Sequence, residues 1–263
     1  MQQEHTKINE TAWNQLAYEA WTNRFGTPFD AAADIMKDPV KKLGTLYRYF
    51  GDVKGKKIVN LLGSHGIKGI ALALLDADVT VIDFSSDNKR YAKELSKAAK
   101  VKLNYILSDV LNVPESENAN NFDIAFCELG ILHYFTDLKP FFKTAANMLK
   151  SEGVFIIQDF HPISTKLITT KGKKHKVTGD YFSTELSETE VAYLKYIPGI
   201  DALTEDEKNG FQKAQIRKWT LGEIITALAE SGFTILELNE SEGPKPEDKG
   251  IPKLFTIKAK KSI

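Results

Sequence analysis

Three glycines, an aspartate and two histidines are the residues of this chain whose types and spacing could do chemistry. Gly63, Gly66 and Gly69 punctuate one short stretch, and Asp83 closes the run Val79-Thr80-Val81-Ile82 that follows it. Glycines at such a turn let backbone approach a ligand without a Cβ clash. Unpaired N–H groups opening the next helix, with its dipole, favour a carboxylate or phosphate there. Asp83, on the same edge, offers two oxygens to a pair of ribose hydroxyls. A nucleotide-like ligand is the chemistry this spacing supports. His133 and His161 each follow an apolar run, where open α/β sheets bind ligands, and imidazole titrates near neutral pH. Either can act as a base, or fix a loop by hydrogen bonds. Glu128 and Asp159 are alternative acceptors or substrate anchors, and His65 inside the glycine turn faces a ligand or solvent.

Positioning these groups takes alternating strands and helices. Ile58, Val59, Leu61 and Leu62 form a buried strand stopped by Gly63, Ile70–Leu75 favours a helix, and Val79–Ile82 is a second strand. Strand, glycine turn, helix, strand and acidic residue make a βαβ unit. Ser85 or Ser86 caps a helix to about Ala99, and Lys102–Leu107 is a third strand ending in Ser108-Asp109-Val110. Pro114–Asn121 reads as a polar surface loop and Phe122–Cys127 as a fourth strand, with Cys127 a small buried apolar residue. Thr136 or Asp137 caps the next helix, and Glu152-Gly153 turns the chain into a fifth strand, Val154–Phe160.

Outside that alternation lie two segments. Trp13, Leu16, Ala17, Ala20 and Trp21 recur at helical spacing up to the stop Gly26-Thr27-Pro28, and a second helical stretch covers Val40–Phe50. Residues 163–218 hold a basic hairpin about Gly172 (Lys166, Lys171, Lys173, Lys174, Lys176), read as a solvated face, followed by scattered aromatic residues. Regular structure resumes at the capping box Thr220-Leu221-Gly222-Glu223, and Gly232 ends that helix. Phe233–Leu238 and Leu254–Ala259 are the last strands, parted by the Gly/Pro-rich loop Glu242–Pro252.

The bulk composition excludes several classes. The 263 residues suffice for one large α/β domain, and 42% hydrophobic residues can build its core. Lys plus Arg equals Asp plus Glu at 35 each, so the basic excess of a nucleic-acid binder is missing. The single Cys127 forms no internal disulfide, C-x-x-C metal spacing is absent, and no metal site is expected. MQQEHTKINE has no apolar signal core and no run approaches membrane-spanning length, so a cytoplasmic protein free of membrane is expected. Nothing in the residues fixes an oligomeric state.

Read as a dinucleotide fingerprint, Ser64-His65-Gly66-Ile67-Lys68-Gly69 keeps the last two glycines but has Ser first. The stretch also resembles the first motif of class I S-adenosylmethionine-dependent methyltransferases, with Asn60 at the usual acidic position and Leu62-Gly63-Ser64-His65-Gly66 at the glycines. FDIAFCELGILHYF, then NMLKSEGVFIIQDFHP, resembles the fourth- and fifth-strand region of the small-molecule members. The strand–loop–strand tail completes the likeness, which covers about residues 55–160 and 219–260. It implies an α/β fold with a Rossmann-like, seven-stranded, mostly parallel sheet, the last strand antiparallel beside the fifth, and helices on both faces. Residues 1–50 would be an N-terminal helical lid and 51–263 the methyltransferase domain, with an insertion at 163–218. It implies in-line methyl transfer from S-adenosylmethionine to a small-molecule acceptor. The cofactor set would be Gly63, Ser64 and Gly66, then Asp83 with Phe84 and Ser85, Asp109 with Val110 near the adenine, and Glu128 and Leu129 at the methionine end, with Tyr18 and Trp21 from the lid. His133 and His161 would be the catalytic candidates. An NAD(P)-dependent oxidoreductase and a non-catalytic S-adenosylmethionine-binding protein are the alternatives.

Overall fold

The β-branched runs become the centre of a seven-stranded sheet. A computed structural model of the chain describes residues 2–114, 120–172, 174–243, 245–248 and 250–262. Its main strands are β1 (Lys57–Leu61), β2 (Asp78–Asp83), β3 (Asn104–Leu107), β4 (Phe122–Glu128) and β5 (Leu149–Phe160). Two hairpin-like pairs follow, β6 (Ile168–Lys171) with β7 (Lys174–Val177) and β8 (Leu186–Thr189) with β9 (Ala214–Arg217), and then β10 (Phe233–Glu242) and β11 (Pro252–Lys261). The sheet order is β10-β11-β5-β4-β1-β2-β3. β11 alone runs against its neighbours, lying antiparallel between β5 and β10. That is the expected tail, and it is not the all-parallel continuation of a dinucleotide-binding dehydrogenase.

Period-two alternation assigns each strand residue to a face. Ile58, Val79, Val81, Phe126 and Ile156 face one core, while Val59, Leu61, Ile82, Ala125 and Phe155 face the other. The helices are α1 (Gln2–Trp13), α2 (Ala17–Phe25), α3 (Pro28–Lys37), α4 (Pro39–Leu43), α5 (Tyr47–Phe50), α6 (Ile67–Ala73), α7 (Ser86–Ala98), α8 (Leu138–Met148), α9 (Glu205–Asn209) and α10 (Leu221–Glu230). α8 and α10 cover the second core; α6 and α7, with the N-terminal helices, cover the first. Ser85 caps α7, Asp137 caps α8, and Thr220 with Glu223 closes the capping box of α10.

Several boundaries differ from the sequence expectation. The single N-terminal helix is two, broken at Leu16, whose φ of 61° is left-handed. Helix α3 went unexpected, although Thr27-Pro28-Phe29-Asp30 forms a full capping box with Pro at the first turn. The fifth strand starts at Leu149 rather than Val154 and passes through Glu152 at φ 65°, so Glu152-Gly153 is an irregularity inside it. Lys166 is buried rather than solvated, its Nζ donating to the carbonyls of Ser183 and Lys218 at 2.6 and 2.9 Å. Lys171, Lys174 and Lys176 are exposed as expected; Lys173, the stretch 115–119 of the polar loop, and Pro244 and Lys249 of the last loop lie outside the described residues.

The N-terminal helices and the segment after β5 pack on one another. Asn9 of α1 bridges Gln215 of β9, accepting from its N–H at 2.7 Å and donating to its carbonyl at 3.0 Å. Tyr193 donates to the Ala12 carbonyl at 2.9 Å and stands edge-on to Trp13 and Trp21. Together they roof the carboxyl ends of β1, β2 and β4.

Candidate active site

The turn after β1 is tight because its residues leave no room for anything larger. A Cβ on Gly63 would lie 2.6 Å from Asn60 Oδ1 and 2.8 Å from Val81 Cγ1. Leu62 and Ser64, both at φ 49°, flank it in the left-handed region, which ordinary side chains rarely adopt. Gly66 at φ 75° completes the turn, with Ala92 Cβ where its own Cβ would be, 3.0 Å away. Gly63→Val should therefore reshape the turn and weaken S-adenosylhomocysteine binding at least about tenfold. Unchanged affinity by calorimetry would show that the turn does not touch the ligand.

Asp83 holds this turn. Its carboxylate accepts from the N–H of Ser64 at 3.0 Å, the N–H of Ser85 at 2.9 Å and Asn88 Nδ2 at 3.2 Å. Burial nonetheless pushes its pKa up, against the lowering effect of those donors. A carboxylate offers about four lone-pair sites. Three already face protein donors, so the expectation that both oxygens are open to two ribose hydroxyls is corrected to one remaining site.

A cavity of about 660 Å³ opens between this turn and the roof. Gly63, Ser64, Asp83 and Phe84 form its floor, and Trp21 forms part of its roof. Ser64 Oγ is buried there without a hydrogen-bond partner. Beyond β4 the wall is Glu128, Leu129, Gly130, Ile131 and His133. That loop is again in left-handed backbone, Leu129 at φ 55° and Gly130 at φ 83°. It is pinned by Asp159, which accepts from the N–H groups of Gly130, Ile131 and Leu132 at 2.6, 3.1 and 3.0 Å. Asp159 is thus a buried loop anchor, not the acceptor or substrate anchor the sequence suggested. His133 Nε2 is buried without a partner, and burial lowers its pKa despite the nearby Asp159 carboxylate. Glu128 pairs with Lys68 at 3.4 Å and is raised in pKa by burial.

Other sequence candidates fall elsewhere. Asp109 and Val110, with Phe84, line a separate cavity of about 10 Å³ that Thr6 and Asn9 of α1 close over. Ser85 is buried, capping α7 and donating to the Trp13 carbonyl at 3.1 Å. Tyr18 turns away, its hydroxyl donating to Glu94 at 2.6 Å, and does not line the cavity. His161 does not reach it either. His161 Nε2 lies 2.6 Å from Glu240 and its Nδ1 accepts from the Ile163 N–H at 3.1 Å. His161→Gln should cost stability of about 1 kcal/mol and leave turnover intact; a rate loss at unchanged melting temperature would reverse that assignment.

Residues that the sequence did not put forward for the site also line the cavity, among them Arg24, Phe25, Lys42, Lys68, Lys195 and Tyr196. Arg24 and Phe25 follow Trp21 by three and four places, so the helical spacing that flagged Trp21 pointed to them as well. His65 lies edge-on between Trp21 and Phe25, at ring-centroid distances of 4.7 and 4.9 Å. Burial, with Arg24 and Lys68 nearby, lowers its pKa to about 3, so it stays neutral at physiological pH.

Residues 63–157, from the glycine turn through β5, match the protein family described as a methyltransferase domain. The chain carries a methyltransferase domain. No curated protein sequence matches it. Among solved structures, a candidate S-adenosylmethionine-dependent methyltransferase from Listeria monocytogenes is similar at 21% identity and TM-score 0.64, covering 84% of this chain and 98% of that one. An S-adenosylmethionine-dependent methyltransferase from Mesorhizobium loti matches at 20% identity and TM-score 0.63, over 82% and 95% of the two chains. Magnesium protoporphyrin IX methyltransferase from Synechocystis, solved with bound S-adenosylhomocysteine, is 14% identical with TM-score 0.59, over 98% and 100%. At these identities the solved structures establish the fold. The family match over residues 63–157 and the shared fold agree with each other.

Proposed function

We propose that the methyltransferase domain transfers a methyl group to a small-molecule acceptor held in the 660 Å³ cavity. The observation that carries this reading is the continuity of that cavity from the Gly63–Ser64 turn to His133, under one roof. Its volume falls in the range of about 300–1,000 Å³ usual for small-molecule sites. The residues present fit the donor: the Gly63 turn, Ser64 with its partnerless Oγ, and Asp83 all line this cavity. Bound S-adenosylmethionine supplies an electrophilic sulfonium methyl. Gly63 and Ser64 would hold its amino-acid end with Glu128 and Leu129, Asp83 its ribose, and Phe84, Asp109 and Val110 its adenine.

The protein's task is then alignment and exclusion of water, and holding reactants in register is worth on the order of 7–11 kcal/mol in favourable cases. His133, neutral because burial lowers its pKa, is the candidate base for an acceptor that must lose a proton. Residues 1–50, with the segment 163–218, would act as the lid, through Trp21 rather than Tyr18. The balanced charge of the chain supports a small molecule over a nucleic acid. Among the described residues no helix is long and apolar enough to cross a membrane, and the lone cysteine supports a reducing, cytoplasmic setting.

Calorimetry and thermal melting against S-adenosylhomocysteine and NAD test the donor. Tight binding of the former and none of the latter is expected. The opposite result would return the chain to the dehydrogenase alternative.

A further inference from the structure

The charges lining the cavity do not cancel. Lys42 is paired with Asp34 and Lys68 with Glu128, while the Asp83 carboxylate is met by its three N–H donors. Arg24 and Lys195, exposed at the mouth, form no ion pair among the described residues. They stand instead around one aromatic ring. The Arg24 guanidinium carbon is 4.5 Å from the Tyr196 ring centroid and 4.7 Å from that of Phe25, and Lys195 Nζ is 5.1 Å from Tyr196. A guanidinium stacked on aromatic faces keeps its edge N–H groups free, in the planar fork that matches a carboxylate. The donor's sulfonium and ammonium groups outnumber its carboxylate, so filling its site adds positive charge rather than removing the excess. Between this mouth and the glycine turn the wall is aromatic, with Trp21, Phe25 and the neutral His65.

We infer that the methyl acceptor is a small carboxylic acid with a planar or apolar body, its carboxylate held by Arg24 and Lys195 at the mouth and its reacting atom directed inward. This rests on the methyltransferase reading of the same cavity. The carboxylate is the handle by which the acceptor is gripped, and the aromatic wall receives the body by stacking.

The test uses the full chain, with and without saturating S-adenosylhomocysteine, and follows quenching of its tryptophan fluorescence. The probes are 4-hydroxyphenylacetate and indole-3-acetate, each beside its amide, and phenyl phosphate. Each acid is expected to bind at least about tenfold tighter than its amide, as a charge-assisted hydrogen-bonded pair allows. Arg24→Gln combined with Lys195→Gln should abolish that preference while keeping S-adenosylhomocysteine affinity within about twofold. Acids that bind no better than their amides, with or without the donor product, overturn the inference. So does phenyl phosphate binding tighter than both acids, which would make the handle a phosphate. A double variant that loses S-adenosylhomocysteine affinity in step also overturns it, because the two cations would then serve the donor's own carboxylate. Failure of the wild-type chain to bind S-adenosylhomocysteine would instead strike at the donor assignment, with the acid–amide comparison still readable in its absence.

Discussion

Asp159→Ala is expected to destabilise the protein by about 3–5 kcal/mol, the scale on which removing one partner of a buried charged network is felt. The Asp159 side chain is 5% exposed, and its oxygens accept from the N–H groups of Gly130, Ile131, Leu132 and Phe160. Without it those donors are stranded inside the sheet edge, where each unmet group is costly. The loop they belong to passes through left-handed backbone at Leu129 and Gly130, which such support keeps in place. Asp159→Asn should lose less, since its amide still offers one acceptor oxygen. Chemical denaturation of the two variants checks this. A loss below about 1 kcal/mol for alanine would mean that the loop holds its own shape.

His133→Gln should lower turnover by about 10²–10⁴-fold with little change in melting temperature, once an acceptor that must be deprotonated is in hand. Glutamine fills similar space but takes up no proton. Burial lowers the His133 pKa from its ordinary 6.5, so the imidazole is free at neutral pH and protonates only on acidification. The wild-type rate should therefore fall on the acid side of that value, and the variant should lack this limb. The same shift links to folding. A histidine held neutral by the native state contributes stability that is present above pH 6.5 and is lost as pH drops toward the folded pKa, at up to about 1.4 kcal/mol per pH unit. A variant that keeps both its rate and its acid limb would leave alignment alone to carry the reaction.

Local residue chemistry made the sheet legible. Val79–Ile82 and Phe122–Cys127 are β-branched or apolar runs with clear stops, while the antiparallel insertion of β11 came from the family resemblance that the closing strand–loop–strand completes. Boundaries were harder wherever polar side chains took over backbone bonding. Thr27 and Asp30 start a helix at what reads as a terminator, and Leu16 breaks one that reads as continuous. At the site, the floor was legible because Gly63 and Asp83 are punctuation of a short local unit. The choice between His133 and His161 was not, since both follow strands. Only the long-range pairing of His161 with Glu240, across 79 positions of chain, separates them. Asp159 was misread for the same reason: its partners lie on the loop after β4, out of reach of local pattern. Arg24 and Lys195 meet at Tyr196 from segments that no periodicity connects.

The small cavity under α1 bears on how long a donor stays. At about 10 Å³ it has room for roughly one water-sized probe. An adenine seated beside Asp109, as proposed, would require Thr6 and Asn9 to withdraw. Withdrawal breaks the Asn9–Gln215 bridge and the two hydrogen bonds, both 2.7 Å, that Thr136 donates to Gln2. Capture of the donor would then be gated: its observed association rate would level off at the frequency with which α1 opens, and its apparent affinity would be diminished by the fraction of time spent open. Escape would be gated by the same helix. Each turnover would then need α1 to open for spent donor to leave and fresh donor to enter.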